Sequence, residues 1–97
     1  MPKRTPGRQS KHDNGVQKTA DYYHDLGYKV DADINGFDKP KTLKGKRPDV
    51  IAKKKSDTVI VEHETPDSLK KDAKQRQVFK DYADTHKGVR FRTKLVK

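Results

Sequence analysis

Three carboxylates lie close together around two short apolar stretches of the chain. Asp49 precedes the apolar residues 50–52, and Glu62 and Glu64 follow the β-branched residues 58–61. If these stretches pair as an antiparallel hairpin around residues 53–57, Asp49 lies opposite Glu62, since cross-strand partners share a face at about 4.5–5.5 Å. Glu64 lies on the same face and His63 points away, because side chains alternate along a strand.

Acids grouped in this way are typical of a divalent cation site. Carboxylate oxygens suit Mg²⁺ or Mn²⁺, with waters completing the shell. In phosphodiester hydrolysis such an ion would activate a water and stabilise the charge that develops on the phosphate. We expect Asp49 and Glu62 to be metal ligands, and Glu64 to be the general base or a third ligand. The alternative is that the acids only form salt bridges with neighbouring cations.

The charge of the chain points to a polyanionic partner. There are 24 Lys and Arg against 14 Asp and Glu, a net charge of +10 over 97 residues. Nucleic acid is the first expectation and an anionic membrane surface the second; the alternative is a cationic surface that only keeps the chain in solution. Hydrophobic residues are 29% of the chain, so a single domain with a small core is expected.

Cysteine and long apolar segments are both absent from the sequence. No disulfide or thiolate metal site can form, which is compatible with the cytoplasm. No stretch approaches 18 consecutive apolar residues and no hydrophobic signal segment begins the chain. We therefore expect a soluble, intracellular protein that does not associate with membranes.

The periodicity of the chain predicts one disordered arm and one domain. Residues 1–13 are basic, contain two prolines and carry no apolar residue after Met1, so a disordered basic arm is expected there. Residues 14–97 contain helical spacing over 14–26, alternation over 28–34, the hairpin, a second helical pattern from about residue 67 to 86 and a last alternating strand over 89–96. The predicted order is helix, three strands, helix, strand.

The pair Pro48-Asp49 and the triplet Glu62-His63-Glu64, with twelve residues between them, resemble the motif of the PD-(D/E)xK nuclease superfamily. That resemblance implies an α/β fold, the restriction-endonuclease-like αβββαβ core, with a mixed sheet flanked by two helices. The compactness is similar to small phage or archaeal Holliday-junction resolvases and to other minimal members of the superfamily, and the residues do not distinguish these subfamilies. It implies a metal-dependent endonuclease that hydrolyses DNA, with Mg²⁺ or Mn²⁺ as cofactor and the backbone carbonyl of His63 as a further ligand.

One position departs from the motif of that superfamily. Its last residue is usually Lys, and here it is Glu64, which cannot supply positive charge. Glu64 could act as general base, or a lysine such as Lys46 or Lys53 could lean into the site. A third alternative is that catalysis has been lost, which would leave a non-catalytic nucleic-acid-binding protein on the same fold.

Other residues are candidates for supporting roles. The resemblance implies an acid from the first helix, for which Asp21 and Asp25 are candidates, with an exposed surface position as the alternative for each. It also implies a glutamine from the second helix, for which Gln75 and Gln77 are candidates. Cleavage of both strands of DNA by so small a domain would require a homodimer. The residues expected to contact nucleic acid are Lys44, Lys46, Arg47, Lys74, Arg76, Arg90 and Arg92.

Overall fold

The structure is a computed structural model that describes residues 6–96, with side chains from residue 12 onward. It contains three helices and four strands. In chain order these are α1 (Pro6–Asp25), β1 (Lys29–Ala32), β2 (Val50–Lys54), β3 (Asp57–Glu64), α2 (Pro66–Lys71), α3 (Ala73–Thr85) and β4 (Val89–Leu95). No helix within residues 6–96 is both long and apolar enough to cross a membrane.

The four strands form one mixed sheet in the order β1-β2-β3-β4. β1 and β3 run antiparallel to β2, and β4 runs parallel to β3. Val50 pairs with Val61 and Ala52 with Val59, which confirms the predicted hairpin register. β3 is buried from Val59 to its end, because β2 and β4 flank it within the sheet and helices cover both faces of the sheet.

The helices cover the two faces of the sheet and divide the core in two. On one face, Val16 and Ala20 of α1 pack against Val50, Val59 and Val61. On the other face, the fully buried Phe79 of α3 packs with a second cluster, whose further buried members are Leu43, Ile51 and Ile60. Successive residues of β3 serve opposite clusters because side chains alternate across a strand. The α/β fold class and the mixed sheet are as predicted.

Helix α1 begins earlier than the sequence indicated. It starts at Pro6, a residue that fits the first helical position because its missing N–H has no partner there. Residues 6–13 are therefore helical and not part of a disordered arm, whereas residues 1–5 lie outside the described chain. The side chain of His12 is buried, 5% exposed, so a long-range contact holds this polar segment against the sheet.

The second predicted helix is divided into two at Asp72. Thr65 caps α2 by accepting a hydrogen bond from the Ser68 amide, and Ser68 Oγ accepts one from the Thr65 amide, which forms a capping box. The Asp72 amide closes α2 on the carbonyl of Ser68, and α3 begins at the next residue. Three helices thus flank the sheet instead of the two expected.

Candidate active site

The two predicted ligand carboxylates meet at one end of the hairpin. Asp49 directly precedes β2, and the hairpin register continues to place it opposite Glu62. The amide of Asp49 donates a hydrogen bond of 2.8 Å to Oε1 of Glu62. A side chain on β3 thus fixes the backbone that carries the other acid, so that the two residues hold each other in place.

Asp49 is held by two histidines. Its Oδ2 accepts a 2.7 Å hydrogen bond from the His63 amide and lies 3.2 Å from Nε2 of His12 on α1. Burial, the largest influence, acts to raise the pKa of Asp49, but hydrogen bonds from His12 and His63 together outweigh it and leave the pKa well below its usual range. Asp49 is therefore ionised at neutral pH.

The ring of His63 lies on the α1 face of the sheet, as alternation along β3 predicted. It is 3% exposed, and Nε2 lies 2.7 Å from Oγ1 of Thr19 on α1. Nδ1 lies 3.6 Å from Oδ2 of Asp49, beyond hydrogen-bonding distance. The ring therefore bridges helix α1 and the candidate site.

Glu62 carries the opposite pKa perturbation. Both of its oxygens are occupied, Oε1 by the Asp49 amide and Oε2 by Nε2 of Gln75 at 3.2 Å. Burial, followed by the negative charge of Asp49, raises the pKa of Glu62 to about 9. Glu62 is buried and Asp49 is 15% exposed, and two adjacent carboxyl groups with pKa values displaced in opposite directions are typical of a site that holds a shared proton or a cation.

Glu64 has its hydrogen-bond and ion-pair partners on α2 and α3. It is 1% exposed and accepts a hydrogen bond from Ser68 Oγ, while Nη1 of Arg76 lies 3.7 Å from its Oε1. Burial raises the pKa of Glu64. Arg76 is thus the cation next to the position where the resemblance implies a lysine.

The acids partly fit a divalent cation. The described residues contain no group of three or more His, Cys, Asp or Glu side chains arranged to hold a metal. Asp49 and Glu62 nevertheless form an adjacent pair, and Mg²⁺ is usually held by one or two carboxylates, waters and substrate phosphates instead of a complete protein cage. The pKa of Glu62 is raised by burial and by the charge of Asp49, and a bound cation would oppose both effects. The pair therefore fits Mg²⁺ as a two-carboxylate site.

The two accessory candidates lie outside the site. Asp21 is exposed and accepts a hydrogen bond from Gln17, and Gln77 is exposed and donates one to Asp81. Gln75 reaches Glu62 instead, because two residues along a helix correspond to a rotation of about 200°. Gln75, and not Gln77, is therefore the glutamine that contacts the acid pair.

The lysines considered as substitutes for the motif cation do not reach the acids through any described contact. Lys53 pairs with Thr58 near the turn end of the hairpin, the end opposite Asp49. Lys46 is exposed in the loop and pairs with Leu43 through its backbone. Arg76, on α3, is the cation that the fold brings to Glu64.

The residues expected to contact nucleic acid fall into two groups. Arg76 is partly buried and donates to the carbonyl of Leu69, and Arg90 forms a bidentate pair with Asp57 at 2.8 and 3.1 Å. These two arginines already have internal partners. Arg90 is nevertheless exposed. The other five are exposed as well, namely Lys44, Lys46, Arg47, Lys74 and Arg92.

Three residues of the site had not been singled out as site residues from the sequence. His12 lies in a polar segment without helical periodicity, and Thr19 carries no motif. For Ser68, the pattern Thr65-Pro66-Asp67-Ser68 after a strand resembles a capping box. That pattern was the one available signal for the contact of Ser68 with Glu64.

Comparison with known proteins gives one positive result. No curated protein matches the chain in sequence. A family model described as AHJR-like, of the restriction-endonuclease-like class, matches residues 7–96. This match covers all four strands and almost all of α1. The chain therefore belongs to the AHJR-like family of restriction-endonuclease-like proteins.

Proposed function

We propose that this protein is a metal-dependent endonuclease that hydrolyses DNA phosphodiester bonds. The observation that supports the proposal most is the Asp49–Glu62 pair at the end of the β2–β3 hairpin, in a chain of a restriction-endonuclease-like family. The pair is costly for folding alone, because burial and the charge of Asp49 both disfavour the ionised form of Glu62. A catalytic role gives a reason for that cost.

Asp49 and Glu62 would hold the metal, together with the backbone carbonyl of His63. A bound Mg²⁺ or Mn²⁺ supplies an activated water and stabilises negative charge on the phosphate. Asp49 offers a permanently ionised oxygen, fixed by its contacts with His12 and His63. Gln75 orients Glu62 by donating to Oε2. These contacts hold the carboxylates in place before substrate binds, which favours catalysis.

Glu64 is proposed as the general base or as a third ligand. A buried carboxyl whose pKa is raised exchanges protons closer to neutral pH than an exposed one. Ser68 and Arg76 fix the orientation of its carboxyl group. Glu64→Gln separates the two roles, because loss of a base leaves metal affinity unchanged and loss of a ligand lowers it.

The test is cleavage of supercoiled plasmid and of branched DNA with Mg²⁺, with Mn²⁺ and with chelator. Asp49→Asn and Glu62→Gln keep the shape of each side chain and should each lower the cleavage rate by at least about 100-fold. Asp84→Asn, at an exposed position of α3, is the matched control and should cleave as the unaltered protein does. Calorimetric titration with Mn²⁺ should show binding that both site variants lose.

Two other outcomes would change the functional conclusion. If neither the unaltered protein nor any variant cleaves DNA, but all of them bind DNA equally, the chain is a non-catalytic nucleic-acid-binding protein on this fold. If cleavage continues in chelator, the metal-dependent mechanism is wrong. The plasmid products also report the assembly, since a monomer yields nicked circles and a homodimer acting on both strands yields linear DNA.

A further inference from the structure

A cleft of about 380 Å³ lies between α1 and the end of β4, behind the candidate active site. Asn14, Lys18 and Thr19 line it from α1, and Lys94 and Val96 line it from the end of the chain. Its lining also includes the ring of His63. The backbone amide of His63 donates a hydrogen bond to Asp49, so the same residue lines the cleft and contacts the acid pair.

The walls of the cleft are held close together at its inner end. A Cβ added to Gly15 would lie 3.0 Å from Cγ2 of Val96 and 3.4 Å from Cδ2 of His63. The amide of Val96 donates a 2.6 Å hydrogen bond to the carbonyl of Glu64. This hydrogen bond fixes the end of β4 beside Glu64, so backbone contacts hold the two walls of the cleft in place.

The charges around the cleft are positive. Lys18 and Lys94 are exposed, and the residues that line the cleft include no acid. Lys94 pairs with His63 and Arg92 with Val61, so both cations project to the α1 side of the sheet at its β4 edge. Three cations thus lie along one edge, on the side that leads to Asp49.

An exposed aromatic ring lies beside these cations. Tyr22 is 58% exposed, and Lys94 Nζ lies 5.9 Å from the centre of its ring. Tyr22 follows Lys18 by four residues, so both lie on the same side of α1. A ring with this exposure, next to cations, is suited to stack on a nucleobase.

We propose that the cleft and Tyr22 together bind a single-stranded segment of the nucleic acid substrate. Lys18, Lys94 and Arg92 contact consecutive backbone phosphates, and Tyr22 stacks on an unpaired base. In a duplex the bases are stacked on one another and a side ring cannot reach their faces, so the aromatic contact selects DNA with an unpaired stretch beside the site of cleavage. The proposal deepens the proposed function, since it names the class of substrate.

The experiment measures binding without cleavage, in chelator, by fluorescence anisotropy. The probes are a fluorescein-labelled 20-nucleotide single strand and the duplex of the same sequence. The double variant Lys18→Gln/Lys94→Gln should lower the dependence of log affinity on log salt for the single strand by roughly 1.4, since each phosphate contact contributes about 0.7. The control Lys29→Gln/Lys80→Gln removes two exposed charges elsewhere and should leave the slope unchanged.

Tyr22 is tested separately. Tyr22→Ala should weaken binding of the single strand by about tenfold and leave duplex binding within twofold, while Tyr22→Phe should bind as the unaltered protein does. The proposal is overturned if the two lysine pairs change the slope equally, or if Tyr22→Ala affects both probes to the same extent. Far-ultraviolet circular dichroism of each variant shows that the fold is retained.

The result is independent of the nuclease assay. Metal-dependent cleavage with unchanged salt slopes would reject this surface and keep the proposed function. Altered slopes without any cleavage would keep the surface and reject the nuclease.

Discussion

Nε2 of His12 lies 3.2 Å from Oδ2 of Asp49, so helix α1 is joined to the candidate active site by a contact 37 residues apart in the chain. His12 is buried, so this contact fixes α1 beside the sheet at that position. The position of Asp49 therefore depends on the position of helix α1 at His12.

His12→Ala should therefore lower the free energy of unfolding. The variant leaves the carboxylate of Asp49, which is 15% exposed, with one hydrogen-bond donor fewer, and this costs about 1–3 kcal/mol. Urea denaturation measures the change. His24→Ala is the control, since that side chain is 72% exposed, and it should change stability by less than about 0.5 kcal/mol. Equal stability of both variants would show that the His12–Asp49 contact does not stabilise the fold.

Substitutions at Gln75 and Gln77 test whether α3 orients the carboxylate of Glu62. Gln75→Ala removes the donor that orients Glu62, and loss of such an outer contact lowers activity by about 10–100-fold. Gln77→Ala removes only an exposed hydrogen bond to Asp81 and should cleave normally. Initial rates on plasmid DNA measure both variants. A larger effect at Gln77 would reject the assignment of Gln75.

Arg76 should act on stability and not on nucleic acid binding. Arg76→Ala removes a donor to the Leu69 carbonyl and the charge beside buried Glu64, so a loss of about 1–3 kcal/mol is expected. The salt dependence of DNA binding should not change, because its guanidinium is turned inward. Lys74→Ala, at an exposed position, should in contrast lower the dependence of log affinity on log salt if Lys74 contacts a phosphate. A reduced slope for Arg76→Ala would contradict this assignment.

The hairpin could be predicted because its information is local. Alternation and β-branched residues specified the register that places Asp49 opposite Glu62, a register that the structure confirms. The partner of Asp49 on α1 could not be found in this way. His12 belongs to a polar, proline-containing segment, and its stabilising contact exists only after the sheet has formed.

The orientation of the last helix shows a second limit of sequence reasoning. Gln75 and Gln77 were both candidates, and only the rotation of α3 about its axis decides which of them faces Glu62. That rotation depends on the break at Asp72, where one helix ends and the next begins. A continuous helical pattern spans the break, so the sequence periodicity does not reveal it.

Gly88 should be intolerant of any side chain. Its φ is +77°, and an added Cβ would lie 2.2 Å from the carbonyl oxygen of Ser56. Gly45 has a similar φ of +82° with nothing within 4 Å. Gly45→Ala should therefore lower the free energy of unfolding by about 1–2 kcal/mol, because alanine is strained in the left-handed conformation. Gly88→Ala should lower it by about 3 kcal/mol or more. Urea unfolding of both variants measures the difference, and equal costs would refute the close approach to Ser56.

Asp57 should make stability depend on pH at the acidic end. The hydrogen bond from Tyr28, followed by that from Arg90, lowers the pKa of its carboxyl group. A group whose pKa is lower in the folded state stabilises the fold above its unfolded pKa of about 3.9, and this stabilisation is lost as the pH falls through the folded value. The side chain is 37% exposed, so solvent screening limits the effect to about 1 kcal/mol or less.

Asp57→Asn tests this dependence. The variant should be less stable than the unaltered protein at pH 6, and the difference should shrink towards zero as the pH falls below the folded pKa, because the protonated carboxyl has lost the same interaction. Urea denaturation between pH 2.5 and 6 measures both curves, with exposed Asp84→Asn as control. A difference that stays constant across this range would show that the ion pair with Arg90 and the bond from Tyr28 do not depend on the charge of Asp57.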